Sequence, residues 1–298
     1  LSEAPPGDRE ATIWEHVQEL LIRLRRIVIA FFVAAMVLSF LPAPPSHSAS
    51  GEGITGLLKQ AFMGYSPLAL KLPELIFSHV IPPEITAFDG KTYKIQVLAT
   101  SAFESINVLA ESIVLLGLIG ASPVIAKEIW EYIEPALYPH EKAFAKKYIV
   151  LFVAAFIFGV FFGIYIVAPF IMLLVLKLRP LYVPPKYHLI LNVSVSETVE
   201  FALKLALAFG GLFELPVVLY LLLAYGILDP DLFNEQTMKY IFLGTMLIGA
   251  IISPDPSGMG MLAIGFSLYI PIHIAVKLGK KKAMERKILE EIKALAEA

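Results

Sequence analysis

The sequence predicts an all-α integral membrane protein with six transmembrane helices, a short final pair, and a large Pro-rich loop on the far side after the first helix. Three observations predict it. The 298 residues are 57% hydrophobic and 17% charged, where soluble domains average roughly a quarter charged, and mean hydropathy is +0.74. The apolar residues fall in runs approaching the roughly 20 needed to cross a hydrocarbon core of about 30 Å. Lys and Arg also divide unevenly between alternate connections: the N-terminal segment, residues 127–147 and 228–239 and the C-terminal tail hold sixteen, and the opposite connections hold seven. That bias puts both termini in the cytoplasm.

The elements follow in order. Residues 1–25 form a cytoplasmic amphipathic segment, with Trp14, Val17, Leu20, Leu21 and Leu24 at helical spacing. This pattern is an interfacial helix feeding the first span, 26–41, and not a cleavable leader. Residues 42–100 are an extracytoplasmic cap, too rich in proline for one long helix. Within it, Ile54–Phe62 and Leu70–Val80 read as short amphipathic pieces and Lys91–Val97 as extended. The second and third spans are 101–126 and 148–176. The fourth, 198–227, is about 45 Å long as a helix and must tilt or bend, with Gly210, Gly211 and Pro216 to permit it. Spans five and six, 239–252 and 259–277, are short, and 278–298 is a cytoplasmic tail. All 298 residues make one membrane domain without an internal repeat.

No catalytic constellation is present, so no enzyme activity, metal or cofactor is expected. His140-Glu141 begins a zincin-like pattern, but position 144 is Phe144. Ser257-Gly258-Met259-Gly260 lacks the lysine and hydroxyl of a phosphate loop. Zero cysteines exclude a disulfide framework, a thiolate metal site and a cysteine nucleophile, and a net charge of -2 provides no field for nucleic acid.

The informative residues are charges in or beside the spans. Glu214 lies well inside an apolar helix, where a carboxylate is costly unless protonated, paired or wet. Pro216 cannot donate to the carbonyl of Leu212, which frees polar groups beside it. Glu104, Asn107 and Glu111 share one face of the second span; Glu104 is expected at the outer surface and Glu111 paired with a neighbouring helix. Glu200 and Lys204 form an i, i+4 pair. Glu128, Glu131 and Glu134 would repel one another on a helix, so that acidic face calls for a cationic partner.

Three stretches resemble the TatC family, the multi-spanning subunit of the twin-arginine protein translocase. They are His16-Val17-Gln18-Glu19-Leu20 with Arg23-Leu24; Ser122-Pro123-Val124 through Ile129-Trp130-Glu131-Tyr132-Ile133-Glu134-Pro135 to His140-Glu141-Lys142; and Phe209-Gly210 through Phe213-Glu214-Leu215-Pro216. Ser253-Pro254-Asp255 agrees with the family's Pro-Asp loop. The resemblance implies a receptor for signal peptides with two consecutive arginines on folded cargo. Glu19 and Glu141 match the acidic recognition residues, beside His16, Arg23, Tyr132 and Pro135. Glu214, with Phe213 and Pro216, matches the contact with single-span TatA/TatB-type subunits. Pro254 and Asp255 would be a structural or functional loop. The implied setting is a prokaryotic plasma membrane rather than a thylakoid, with lipid as solvent, a homo-oligomer within a translocase complex, and the proton gradient as energy source. The alternative is a proton-coupled small-solute transporter using Glu104, Glu111 and Glu214 as a relay.

Overall fold

The computed structural model describes residues 13–43, 66–98, 103–133, 145–183, 190–253, 255 and 257–297. Helix α1, Ile13–Ser39, is one uninterrupted rod. The sequence reading separated an interfacial helix from a first span; no Gly or Pro falls between residues 13 and 39, and the structure runs the two together. Helix α2 is Leu68–Val80 and strand β2 is Thr92–Leu98, where a helical piece and an extended stretch were expected. The piece at 54–62 lies outside the described residues. Strand β1, Glu84–Thr86, pairs antiparallel with β2, and β3, Leu191–Ser194, pairs parallel with it.

Helix α3, Glu104–Ile133, contains Pro123. Proline has no N–H for the carbonyl four residues back, and Ser122 Oγ donates to that carbonyl, Ile119 O, at 2.7 Å. Helix α4, Ala145–Phe162, passes through a π turn, Gly163–Val167, into α5, Ala168–Leu178. Here Pro169 cannot serve Tyr165 O, and His79 Nε2 of α2 donates to it at 3.3 Å. A neighbouring element thus satisfies the backbone that lipid could not. Helix α6, Val195–Leu212, and α7, Glu214–Ala224, are one long apolar stretch broken at Phe213, close to the expected bend. Helix α8, Glu235–Ile252, is capped by Asn234, whose side chain accepts from Thr237 N. Helix α9, Met259–Glu297, carries the last span straight on into the tail.

Four helical stretches are long and apolar enough to cross a membrane by length and composition: Glu104–Tyr132, Ile149–Tyr182, Val195–Ala224 and Met259–Leu289. Arg23, Arg25 and Arg26 dilute α1, and Glu235 and Lys239 dilute α8. Large apolar side chains on both still face outward, among them Phe32, Met36, Leu243 and Ile251. Outside a bilayer such an apolar surface would drive aggregation.

The core sits where α4 crosses α6. A Cβ on Gly159 would lie 2.3 Å from Phe209 O, and one on Gly163 2.8 Å from Leu205 O. Glycine four residues apart therefore lets the two backbones touch. Phe158, Phe162, Phe209 and Phe213 stack beside the crossing with ring centroids 5.3–6.1 Å apart. At one end of the bundle, Arg286 of α9 donates to Tyr225 O and Lys280 to Phe233 O, tying α9 to the end of α7 and the loop after it.

The turn between α8 and α9 is built on Asp255. Its carboxylate accepts from Ser257 N (2.9 Å), Ser257 Oγ (2.8 Å) and Gly260 N (2.9 Å), so it caps the start of α9. Gly260 packs closely there: a Cβ would stand 2.1 Å from Ser253 Oγ, which would have to rotate away. Burial raises the Asp255 pKa, but the N–H and O–H donors outweigh it and the net shift is below the ordinary 3.8. The folded state therefore holds the ionised form more tightly than the unfolded one. That stability is present above about pH 4 and is lost as pH falls through the lower folded value. Asp255→Ala is expected to cost about 1–2 kcal/mol at neutral pH and progressively less below pH 4. Thermal unfolding in detergent across that range would show it; an equal deficit at pH 7 and pH 3 would contradict the cap.

Candidate functional site

The densest polar constellation lies where the N-terminal half of α1 meets residues 127–131 of α3. Four residues apart on α1, Glu19 and Arg23 face each other. Arg23 Nη2 and Nε both donate to Glu19 Oε1, at 2.6 and 3.1 Å. An i, i+4 pair of this exposure is worth about 0.3–0.5 kcal/mol.

Arg23 has further acceptors on α3. Nη1 donates to Glu128 Oε2, Glu131 Oε2 and Glu128 O, each at 3.4 Å, and Nη2 to Glu131 O at 3.1 Å. Main-chain carbonyls keep a second lone pair beside their helical bond, and the guanidinium donates to those of Glu128 and Glu131. Arg26 reaches Glu128 Oε1 at 3.4 Å, and Lys127 reaches Glu131 Oε1 at 3.5 Å. The Glu128 side chain is only 5% exposed, and two arginines neutralise it. Burial lowers the Arg23 pKa, yet the bond to Glu19 and the charges of Glu19, Glu128 and Glu131 carry the net shift upward. Arg23 is therefore charged at any pH the cell reaches. The cationic partner expected for the acidic α3 face is, for Glu128 and Glu131, supplied from within the chain.

Tyr132 is exposed one residue beyond Glu131. His16 lies on α1, but its side chain, Pro135 and Glu141 fall outside the described residues, as does Pro254. Beside these residues, Ala126, Ile129 and Trp130 of α3, Ile149 and Phe152 of α4 and Leu221 of α7 line a small apolar hollow of about 70 Å³.

A second group surrounds Glu214 in the first turn of α7. Its Oε2 is buried and has no hydrogen-bond partner among the described residues. Phe213 is buried in the aromatic cluster and Leu215 is exposed, so Phe213 positions the turn that holds Glu214. Glu111 Oε2 is likewise buried without a hydrogen bond among the described residues, and its partner on a neighbouring helix is the charge of Lys204 on α6, felt without a direct bond. Glu200 and Lys204 pair as predicted. Glu104 is neither exposed nor near Glu214: it accepts from Ser194 Oγ at 2.5 Å and Ser196 N at 2.8 Å, at the start of α6.

The model of the TatC family, Sec-independent protein translocase protein, matches residues 15–266. The chain belongs to the TatC family. The Aquifex aeolicus Sec-independent protein translocase protein TatC is 31% identical over 233 residues, 78% of this chain and 92% of that one. A crystal structure of the twin arginine translocase receptor TatC matches with a TM-score of 0.61 at 28% identity, covering 90% of this chain and 99% of the other. A second, in DDM, gives 0.62 at 30% identity over 89% and 99%. As a TatC-family protein the chain is a membrane-embedded core component of the twin-arginine translocase, a transport protein and not an enzyme.

Sequence reasoning named Glu19 and Arg23 without pairing them, and it found the acidic face of Glu128 and Glu131 without foreseeing that Arg23 and Arg26 of α1 supply its cations.

Proposed function

We propose that this chain is the receptor subunit that binds twin-arginine signal peptides on its cytoplasmic face, with six spans, both termini in the cytoplasm of a prokaryote, and Glu19 and Glu141 as the recognising carboxylates. The observation that carries the reading is the nest between α1 and α3, in which carboxylates and main-chain carbonyls of α3 already hold one guanidinium. A planar fork of donors suits such acceptors, and a lysine ammonium does not reproduce it. The apolar hollow beside Trp130 offers a surface for the apolar part of the signal. Glu214 is the contact for single-span partner subunits, because a half-buried carboxyl in an apolar helix gains most from a polar group on a second helix. The proton gradient supplies the energy.

The test is binding of a fluorescent twin-arginine signal peptide to the detergent-purified chain, beside a twin-lysine version of the same charge. Wild type is expected to prefer arginine, and Glu19→Ala or Glu141→Ala to weaken that binding about tenfold or more. In parallel, Glu214→Ala is expected to keep peptide binding and to lose crosslinks to the single-span subunits in membranes. Equal affinity for the two peptides would overturn the receptor reading, and unchanged crosslinking would remove Glu214 from it. Solute uptake by proteoliposomes would favour the relay of Glu111 and Glu214 instead.

A further inference from the structure

We propose that Arg23 is a resident occupant of the arginine-recognition site, and that signal binding is an exchange in which the incoming guanidinium takes Glu19 while Arg23 falls back on α3. This rests on the receptor reading above and specifies how that site is regulated.

The geometry of the two residues is unequal in a way that permits exchange. The one hydrogen-bond partner of Glu19 among the described residues is Arg23, and both bonds go to Oε1. Its Oε2 makes no hydrogen bond there, and the side chain is 42% exposed. Arg23 is 15% exposed and has reserve acceptors: the carboxylates of Glu128 and Glu131 and the main-chain oxygens of the same two residues. Losing one partner of a buried ion pair is costly when it strands the other charge. Here the release of Glu19 strands nothing. Arg23 keeps four acceptors, and Glu128 keeps Arg26 as well. The i, i+4 pair that must break is open to solvent on the Glu19 side, which screens part of it.

A resident arginine also sets a threshold. Any basic segment that approaches Glu19 competes with a guanidinium tethered four residues away, at high effective concentration. A ligand that offers only a point charge gains little over the occupant. A fork that donates to both oxygens of Glu19 gains an extra bond, since Arg23 uses only one of them.

The experiment is peptide affinity in a double-mutant cycle on the full chain in detergent. Arg23→Gln is expected to tighten the twin-arginine peptide about two- to fivefold, the amount by which an exposed pair competes. In a Glu19→Gln background the same substitution is expected to give no tightening, because there is no carboxylate to release. Arg25→Gln removes an equal charge from an exposed neighbour with no bond to Glu19 and is expected to change affinity less. Arg23→Lys covers the case in which Arg23→Gln fails to fold: it keeps a cation beside Glu128, and it is expected to tighten binding as well. Weaker binding by both Arg23 variants, or equal tightening with and without Glu19, or the same gain from Arg25→Gln, would overturn the exchange. Wild type that prefers arginine over lysine while Arg23 variants fail to tighten leaves the receptor reading standing and removes only the exchange. Wild type with no preference removes both.

Discussion

Gly159→Leu is expected to unseat α4 from α6 and cost about 3 kcal/mol or more, the largest effect of any single substitution considered. The reason is what a side chain would meet. A Cβ at Gly159 would stand 2.3 Å from Phe209 O and 2.8 Å from Phe209 C, which are backbone atoms of a helix that is itself fully buried at that point. A side-chain neighbour could rotate away; a helix backbone can only translate. Translation would in turn open the contact at Gly163 against Leu205 O and loosen the four-phenylalanine cluster beside it. In lipid there is no hydrophobic force to pull helices back together, so close van der Waals contact is most of what holds the pair. Gly211 makes the control, since nothing lies within 4 Å of its Cβ position. Gly211→Ala, in the last turn of a helix, is expected to change stability by less than about 0.5 kcal/mol. Thermal unfolding followed by near-ultraviolet circular dichroism in the same detergent compares the two. If both variants melt with the wild type, the crossing does not depend on glycine.

Helices at the long apolar runs could be read from the sequence, because an apolar segment must satisfy its own backbone and has little choice but to be helical. The bend in 198–227 was visible for the same reason: Gly210, Gly211 and Pro216 loosen a helix too long to stand upright. Within the site, the Glu19–Arg23 pair was open to inference from spacing, because i, i+4 neighbours on a helix meet whatever the fold does. Contacts between distant segments were not accessible. The Arg23 bonds to α3 join residues more than a hundred positions apart, and no periodicity announces them. Glu111 shows the converse. Its place on a polar stripe was correct, but a stripe tells only which way a residue faces, and no hydrogen-bond partner meets Oε2 among the described residues.

Glu104→Ala is expected to destabilise the bundle by about 2–4 kcal/mol, although the alternative transporter reading makes the residue one member of an intramembrane relay. The parallel pairing of β2 with β3, in register from Ile95 with Leu191 to Leu98 with Ser194, delivers the chain to the starts of α3 and α6 side by side. Glu104 is the first residue of α3, and its carboxylate closes that junction by accepting from Ser194 Oγ and Ser196 N. A carboxylate at a helix N-terminus accepts an N–H that has no intrahelical partner and sits at the positive end of the dipole. Its removal leaves a buried donor unmet. Glu104→Gln should cost about half as much, because the amide oxygen still accepts from Ser196 N but brings no charge to the helix end. Glu111→Gln should be close to neutral, since its buried oxygen has no hydrogen bond to lose and a neutral amide is cheaper than a carboxylate in hydrocarbon. A relay makes the opposite prediction: Glu104→Gln and Glu111→Gln would both abolish proton-linked activity while leaving the melting temperature alone. Melting temperature and proton uptake measured on the same three variants separate the two readings. The bonds at Ser194 and Ser196 favour the staple, because a carboxylate that must hold two donors in place is poorly suited to letting a proton come and go.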